Sequence, residues 1–301
     1  ENISRKDFMN LLLKNSFYEQ FTPNQLADFG IYASADYYFM PDMSMLLKDA
    51  AIICVKALGY RMNGKRNEWY LAQANYLHLF NGIGNDSMNT EMTYADAYIL
   101  IFNYLKANYE GLASYDDNVS FRGEKSCLLY EKHDLIIVEG QVDAAGVMSI
   151  NGTPLSENRI SISGNVYENI RYKDEDIFGR RVKAYISNVD DGGKVIALLK
   201  NSSVSECDIY SYDDPVYSRE GFRYSDSKGN IKTIKVSDKA DIFFNGSKFS
   251  YDESLIVPKN GKITVIDNSV YSNGADTVLI ESASSQEITG LNTNEYYLYS
   301  K

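Results

Sequence analysis

An arginine in a helical first turn, a lone tryptophan beside a tyrosine, and two aspartates around a glycine turn are the side chains whose types and spacing could do chemistry. Arg5 follows the cap residue Ser4 and precedes Asp7. There its cation opposes the helix dipole at a cost of about a few tenths of a kcal/mol, which a functional role would explain; a solvated arginine is the plainer account. Trp69 and Tyr70 could stack on a sugar ring or anchor a short helix in the core. Asp267-Asn268-Ser269 followed by Asn273-Gly274-Ala275-Asp276 offers the hard oxygens that calcium prefers. It lacks the terminal Glu and alternating acids of an EF-hand, so a polar hairpin loop is the other account. Beyond calcium at Asp267 and Asp276, no cofactor is expected.

Catalytic constellations are not in view. His78 and His133 are the only histidines, and neither has a second histidine or a cysteine at ligand spacing, which argues against zinc. No Gly-x-Ser-x-Gly elbow accompanies them. Cys54 falls on an apolar helix face and reads as a small core residue. Asp116-Asp117 and Asp213-Asp214 are adjacent pairs, which point to opposite sides of a strand and cannot work as a carboxylate dyad. The expectation is a chain that is not an enzyme.

The elements that must position these residues change character along the sequence. One helical phrase recurs at Ser4-Arg5-Lys6-Asp7-Phe8, Leu46-Leu47-Lys48-Asp49-Ala50 and Thr93-Tyr94-Ala95-Asp96-Ala97, each copy expected to open with a polar cap. Counted from the acid, apolar residues stand at +1, +4 and +5: Phe8, Leu11, Leu12; Ala50, Ile53, Cys54; Ala97, Leu100, Ile101. That is one helix face written three times. Ser4 with Asp7 and Thr93 with Asp96 have capping-box spacing. Pro23 to Ser34 and Glu68 to Phe80 also carry helical periodicity, with Asn81-Gly82 expected to end the helix that bears His78. From about Tyr115 the period drops to 2 and turns recur. Strands are expected at Leu135 to Val142, Val182 to Ser187, Lys194 to Leu199, Phe222 to Asp226, Ile231 to Val236, Asp241 to Phe244, Lys248 to Tyr251, Lys262 to Asp267 and Thr277 to Glu281. Asn245-Gly246 is the strongest hairpin signal.

At 301 residues with 44% hydrophobic content, the chain suits two or three domains. A net charge of −11 argues against nucleic acid as a partner, because no basic cluster breaks the acidic background. Three separated cysteines make no disulfide framework. No apolar run approaches the length of a membrane span. Twenty-five tyrosines suit half-buried sheets and partner surfaces, or reflect compositional bias.

In this order the segments resemble the S-layer homology modules of Gram-positive surface proteins, in the clostridial type that continues into β-rich segments. Ser4-Arg5-Lys6-Asp7-Phe8 is similar to that family's Thr-Arg-Ala-Glu-Phe start, and Phe39-Met40-Pro41-Asp42 to its Phe-x-Pro-x loop. Lys56-Ala57-Leu58-Gly59-Tyr60, Trp69-Tyr70-Leu71-Ala72 and Leu79-Phe80-Asn81-Gly82-Ile83 resemble the later modules. Phe243 to Lys248 and Gly261 to Asn268 resemble the attached β hairpins. The resemblance implies an α+β multidomain chain: an all-α bundle of pseudo-repeats over 1–112, then two small all-β units over 113–203 and 204–301. It implies a secreted, non-catalytic protein of the cell wall or S-layer whose partners are a secondary cell-wall polysaccharide or other copies of a surface lattice, as a homo-oligomer. Arg5 would meet an anionic sugar, with Trp69 as a second glycan contact; Leu47 and Tyr94 stand where the other copies would carry that arginine. The alternative is a virion or surface-appendage component that uses degenerate repeats for protein contacts.

Overall fold

A computed structural model describes residues 1–20, 26, 31, 40–60, 66–84, 88–109, 127–218, 220–249, 256–269, 273–284, 288–292 and 297–300. The helical periodicity of Pro23 to Ser34, Phe39, the 112/113 boundary, Asp116-Asp117 and the end of the Lys248 to Tyr251 strand lie outside them or partly so. The chain forms two compact units, Glu1–Ile136 and Ile137–Lys301.

The first unit holds helices α1 (Arg5–Lys14), α2 (Leu47–Ala57), α3 (Asn67–Tyr76), α4 (Tyr94–Lys106) and α5 (Leu128–His133). Ser4 Oγ caps α1 by accepting from the Asp7 N–H at 3.1 Å, and Thr93 with Asp96 forms a reciprocal box on α4. Leu46 starts α2 with no side-chain cap, so the polar start holds in two copies of three. The +1 residues Phe8, Ala50 and Ala97 and the +5 residues Leu12, Cys54 and Ile101 are buried. At +4, Leu100 is buried while Leu11 and Ile53 are half-buried.

The extended residues before each helix hold the copies together. The Ile3 N–H donates to Met92 O (2.9 Å), the Met92 N–H to Met45 O (2.8 Å), and the Met45 N–H to Ile3 O (2.9 Å). Each of these residues lies four before its acid, so the bonds close a three-membered ring with pseudo-threefold symmetry. All three side chains are buried. A second set runs around the same axis: the first helical N–H groups of Arg5, Leu47 and Tyr94 donate to Met43, Thr90 and Glu1 carbonyls at 2.9, 3.1 and 3.3 Å. These N–H groups have no partner inside their own helices, and the neighbouring copy supplies it. The helix before His78 ends earlier than expected, at Tyr76, because His78 itself takes a left-handed φ of 58°. Buried Asn103 on α4 pins that turn by donating to Leu79 O and Asn81 O at 2.9 and 2.8 Å.

The second unit holds β1 (Leu135–Ala145, entering from the first unit), β2 (Met148–Ser149), β3 (Arg159–Ile162), β4 (Asn165–Glu168), helix α6 (Asp174–Ile177), β5 (Arg181–Ser187) and β6 (Lys194–Lys200). Long β1 shifts register between Val142 and Ala144 and pairs with both β3 and β5. The order β1-β3-β4-β6-β5 therefore closes on β1, with β4 and β6 parallel and α6 between the third and fourth strands. This is the strand order of the five-stranded Greek-key barrel of OB type. Its interior is filled by Val142, Ile160, Ile162, Val182, Ala184 and Ile186.

The same order recurs in β7 (Ser205–Tyr210), β9 (Gly221–Ser225), β10 (Ile231–Phe244), β12 (Gly261–Asp267) and β13 (Ala275–Ser282), with small additions β8 (Val216–Ser218) and β11 (Ser247–Lys248). Its neighbours run β7-β12-β13-β10-β9, and β10 with β13 is again the parallel pair. Cys207 of β7 and Tyr224 of β9 meet through Sγ and OH at 3.2 Å where the first barrel has a strand pairing. A β14–β15 hairpin (Ile288–Asn292, Tyr297–Ser300) follows. The two barrels share a buried seam, where Phe178 and Phe243 meet edge to face at 4.9 Å.

These findings correct the expected fold class. The chain is mostly β-sheet, with 38% strand against 26% helix, and its amino-terminal part is not an all-α bundle. The helical stripes reveal a buried face, but the copies are tied through extended backbone whose pairing leaves no periodic mark. The break between the two barrels, between β6 ending at Lys200 and β7 starting at Ser205, falls beside the expected 203/204 cut, and both barrels pack within one compact unit.

Candidate functional site

The pseudo-threefold ring brings the position two before the acid of one copy against the acid of the next. Arg5 lies 3.9 Å from the Asp49 carboxylate, with both side chains partly exposed. Tyr94 occupies the equivalent place in the third copy and donates its OH to Asp7 Oδ2 at 3.0 Å. Ser4 Oγ donates to the same oxygen at 2.8 Å. The Ser4 bond, then the Tyr94 bond, hold the Asp7 carboxyl below the usual carboxylate range, and Asp7 in turn raises the Tyr94 phenol. Leu47 fills the third position and is buried, while Asp96 is turned back onto Thr93. The three equivalent places thus carry one cation, one phenol and one apolar side chain.

Among the described residues, Arg5 is the cation of this ring that lies within ion-pair distance of an acid from another copy. A guanidinium at that distance, partly exposed, keeps donors for an incoming carboxylate or phosphate. Trp69 is half-buried and meets Tyr70 edge to face at 5.1 Å. Tyr70 is buried beneath it, with the Lys56 ammonium 5.2 Å from its ring centroid. Arg5 and Trp69 make no hydrogen bond or ring contact with each other among the described residues.

In the second unit, Asp267 Oδ1 accepts from the Ser269 N–H at 2.7 Å, which shapes a turn. Asp276 is buried, accepting from the Asn268 N–H (2.9 Å), Asn268 Nδ2 (2.7 Å) and Thr277 Oγ1 (3.0 Å). Asn268 also accepts from the Arg181 N–H at 2.6 Å and donates to Gly179 O at 2.8 Å, tying the two barrels together. Residues chosen from the sequence for calcium chemistry are thus engaged with the protein's own donors. Among the described residues, no group of three or more His, Cys, Asp or Glu side chains gathers as a metal site.

Sequence reasoning missed this polar joint at the barrel seam. Gln141 donates to Gly179 O at 3.0 Å and to Thr277 Oγ1 at 3.3 Å. Arg180, itself buried, pairs with Glu206 at 2.7 Å, and Lys200 reaches the other oxygen of Glu206. The only sequence sign was a cluster of polar residues at strand ends, which turns also produce. Cys54 is fully buried, and burial pushes its thiol up, so it stays protonated. Burial, then neighbouring Lys132, lowers the His133 imidazole. No helix among the described residues is long and apolar enough to cross a membrane. Comparison with family models, curated proteins and solved structures gave no match.

Proposed function

We propose that the chain is a non-catalytic, secreted structural protein of the S-layer type, held on the cell wall by its first unit and extended by its barrels. The observation that carries this is the ring through Ile3, Met45 and Met92, which gives one chain three positionally matched inter-copy junctions. Such junctions suit a repetitive polymer, and Arg5 supplies the one that can meet an anionic sugar. Barrel topology alone implies no activity. The two barrels serve as spacers and lattice contacts in this account. Pull-down on Gram-positive cell walls by the parent and by Arg5→Ala tests the anchoring. The parent is expected to be retained, with the variant at least tenfold weaker. Equal retention removes Arg5 from the account.

A second function is favoured by Leu47 and Tyr94, whose side chains are spent on protein contacts where the resemblance would place cations. In this function the protein is a virion or appendage component that uses all three junctions for protein. Electron microscopy of the source particle separates the two, since a planar wall lattice and a discrete particle position look different.

A further inference from the structure

A cavity of about 310 Å³ opens at the seam of the two barrels, and nothing in the anchoring proposal uses it. Its floor is apolar: Ala145, Phe243, Leu279 and Ile280 are all buried. Val147, 80% exposed, and Met148 stand at its mouth. Against this surface stand three carboxylates, Asp174, Glu175 and Glu281. The Glu281 charge is partly met by Lys262 at 3.5 Å. Asp174 and Glu175 have no ion pair among the described residues. Two cations of this region are committed elsewhere, Arg180 to Glu206 and to the carbonyls of Glu175 and Phe178, and Lys248 to Asp241 and Ile150 O, while Lys173, beside Asp174 in sequence, is exposed.

Asp174 is half-buried, its carboxylate lying over Gly146, where a side chain would collide with it. Burial, then the charge of Glu175, pushes the Asp174 carboxyl up. An approaching cation would relieve both effects. The volume is at the lower end for a ligand pocket, enough for a single long side chain and its backbone. An apolar floor bordered by carboxylates complements a hydrocarbon stem ending in an ammonium.

We propose that this cavity binds the side chain of a lysine presented by an extended peptide of another protein. The stem lies against Phe243 and Leu279 and the ammonium meets Asp174 and Glu175. The three carboxylates at this cavity, on a chain of net charge −11, favour a basic partner over a second copy as the source. The site stands apart from wall anchoring and would survive the failure of that proposal.

The test uses the full chain with labelled methyl groups, titrated by NMR with N-acetyl-lysine methylamide and with its uncharged norleucine counterpart. Saturable shifts centred on Val147 and Met148 are expected with the lysine probe, with at least tenfold weaker binding of the norleucine probe. Asp174→Asn with Glu175→Gln should weaken lysine binding by at least tenfold and leave methyl signals far from the cavity in place. If that variant does not fold, the two probes on the parent decide alone. Equal binding of both probes, unchanged binding by the folded variant, or shifts located elsewhere overturn the proposal. Self-association of the parent that the variant loses also overturns it, in favour of a second copy.

Discussion

Truncating the side chains at the pseudo-threefold ring should reveal a coupling that no linear chain of repeats would show. Ile3, Met45 and Met92 are 1%, 2% and 0% exposed, so each change to Ala removes three buried heavy atoms and leaves a cavity. Each single variant should lose about 2–5 kcal/mol of stability. Because the three backbones are hydrogen-bonded in a closed cycle, every pair should be non-additive by about 0.5–3 kcal/mol, including Ile3 with Met92, which are 89 residues apart. A row of stacked repeats would couple Ile3 to Met45 and Met45 to Met92 only. Urea unfolding followed by tryptophan emission suits the assay, since Trp69, the sole tryptophan, lies in the first unit. Met43→Ala, at an exposed site in the same segment, serves as control and should change stability by about 0.5 kcal/mol or less. Additive Ile3→Ala and Met92→Ala, with coupling in the other two pairs, would refute the closed ring.

Asn103→Leu should cost about 2–3 kcal/mol in the same assay, because the Leu79 and Asn81 carbonyls lose their donor in a buried setting. Gly179→Ala should lower stability by about 1–3 kcal/mol, since φ is +76° there and a Cβ would lie 2.8 Å from Thr277 Cγ2; thermal melts read by circular dichroism check it. For Glu206, burial raises the carboxyl but the bonds to Lys200 and Arg180 outweigh it, leaving the folded value below the usual 4.5. The pair's contribution is therefore present above the unfolded value and lost as pH falls through the folded one. Between about pH 5 and 3 the second unit of the parent should lose more stability than that of Glu206→Gln, and parallel loss in both would contradict this assignment.

Helical starts were legible because a cap, an acid and an apolar stripe are local signals: α1 and α4 begin where Ser4 and Thr93 place them. The Asn245-Gly246 turn was legible for the same reason, both residues taking positive φ at 47° and 81°. What escaped is non-local. The ring is made of main-chain bonds from Ile3, Met45 and Met92, whose side chains say only that they are buried. Strands β3, β4 and β7 are four to six residues long with no sustained alternation, so the repeated barrel order could not be traced. Asp276 was legible as an oxygen ligand type, but that its carboxylate accepts from Asn268 and Thr277 could not be read from spacing. Arg5 was legible as a candidate, but its partner Asp49 belongs to another copy and could not be paired with it from spacing.

Anchoring to a wall polymer is tested most directly by sedimenting the full chain with purified Gram-positive sacculi, before and after hydrofluoric acid strips the secondary polysaccharide. Cosedimentation with intact sacculi and its loss on stripped ones is the predicted result. Equal sedimentation with both, or with neither, would contradict the account.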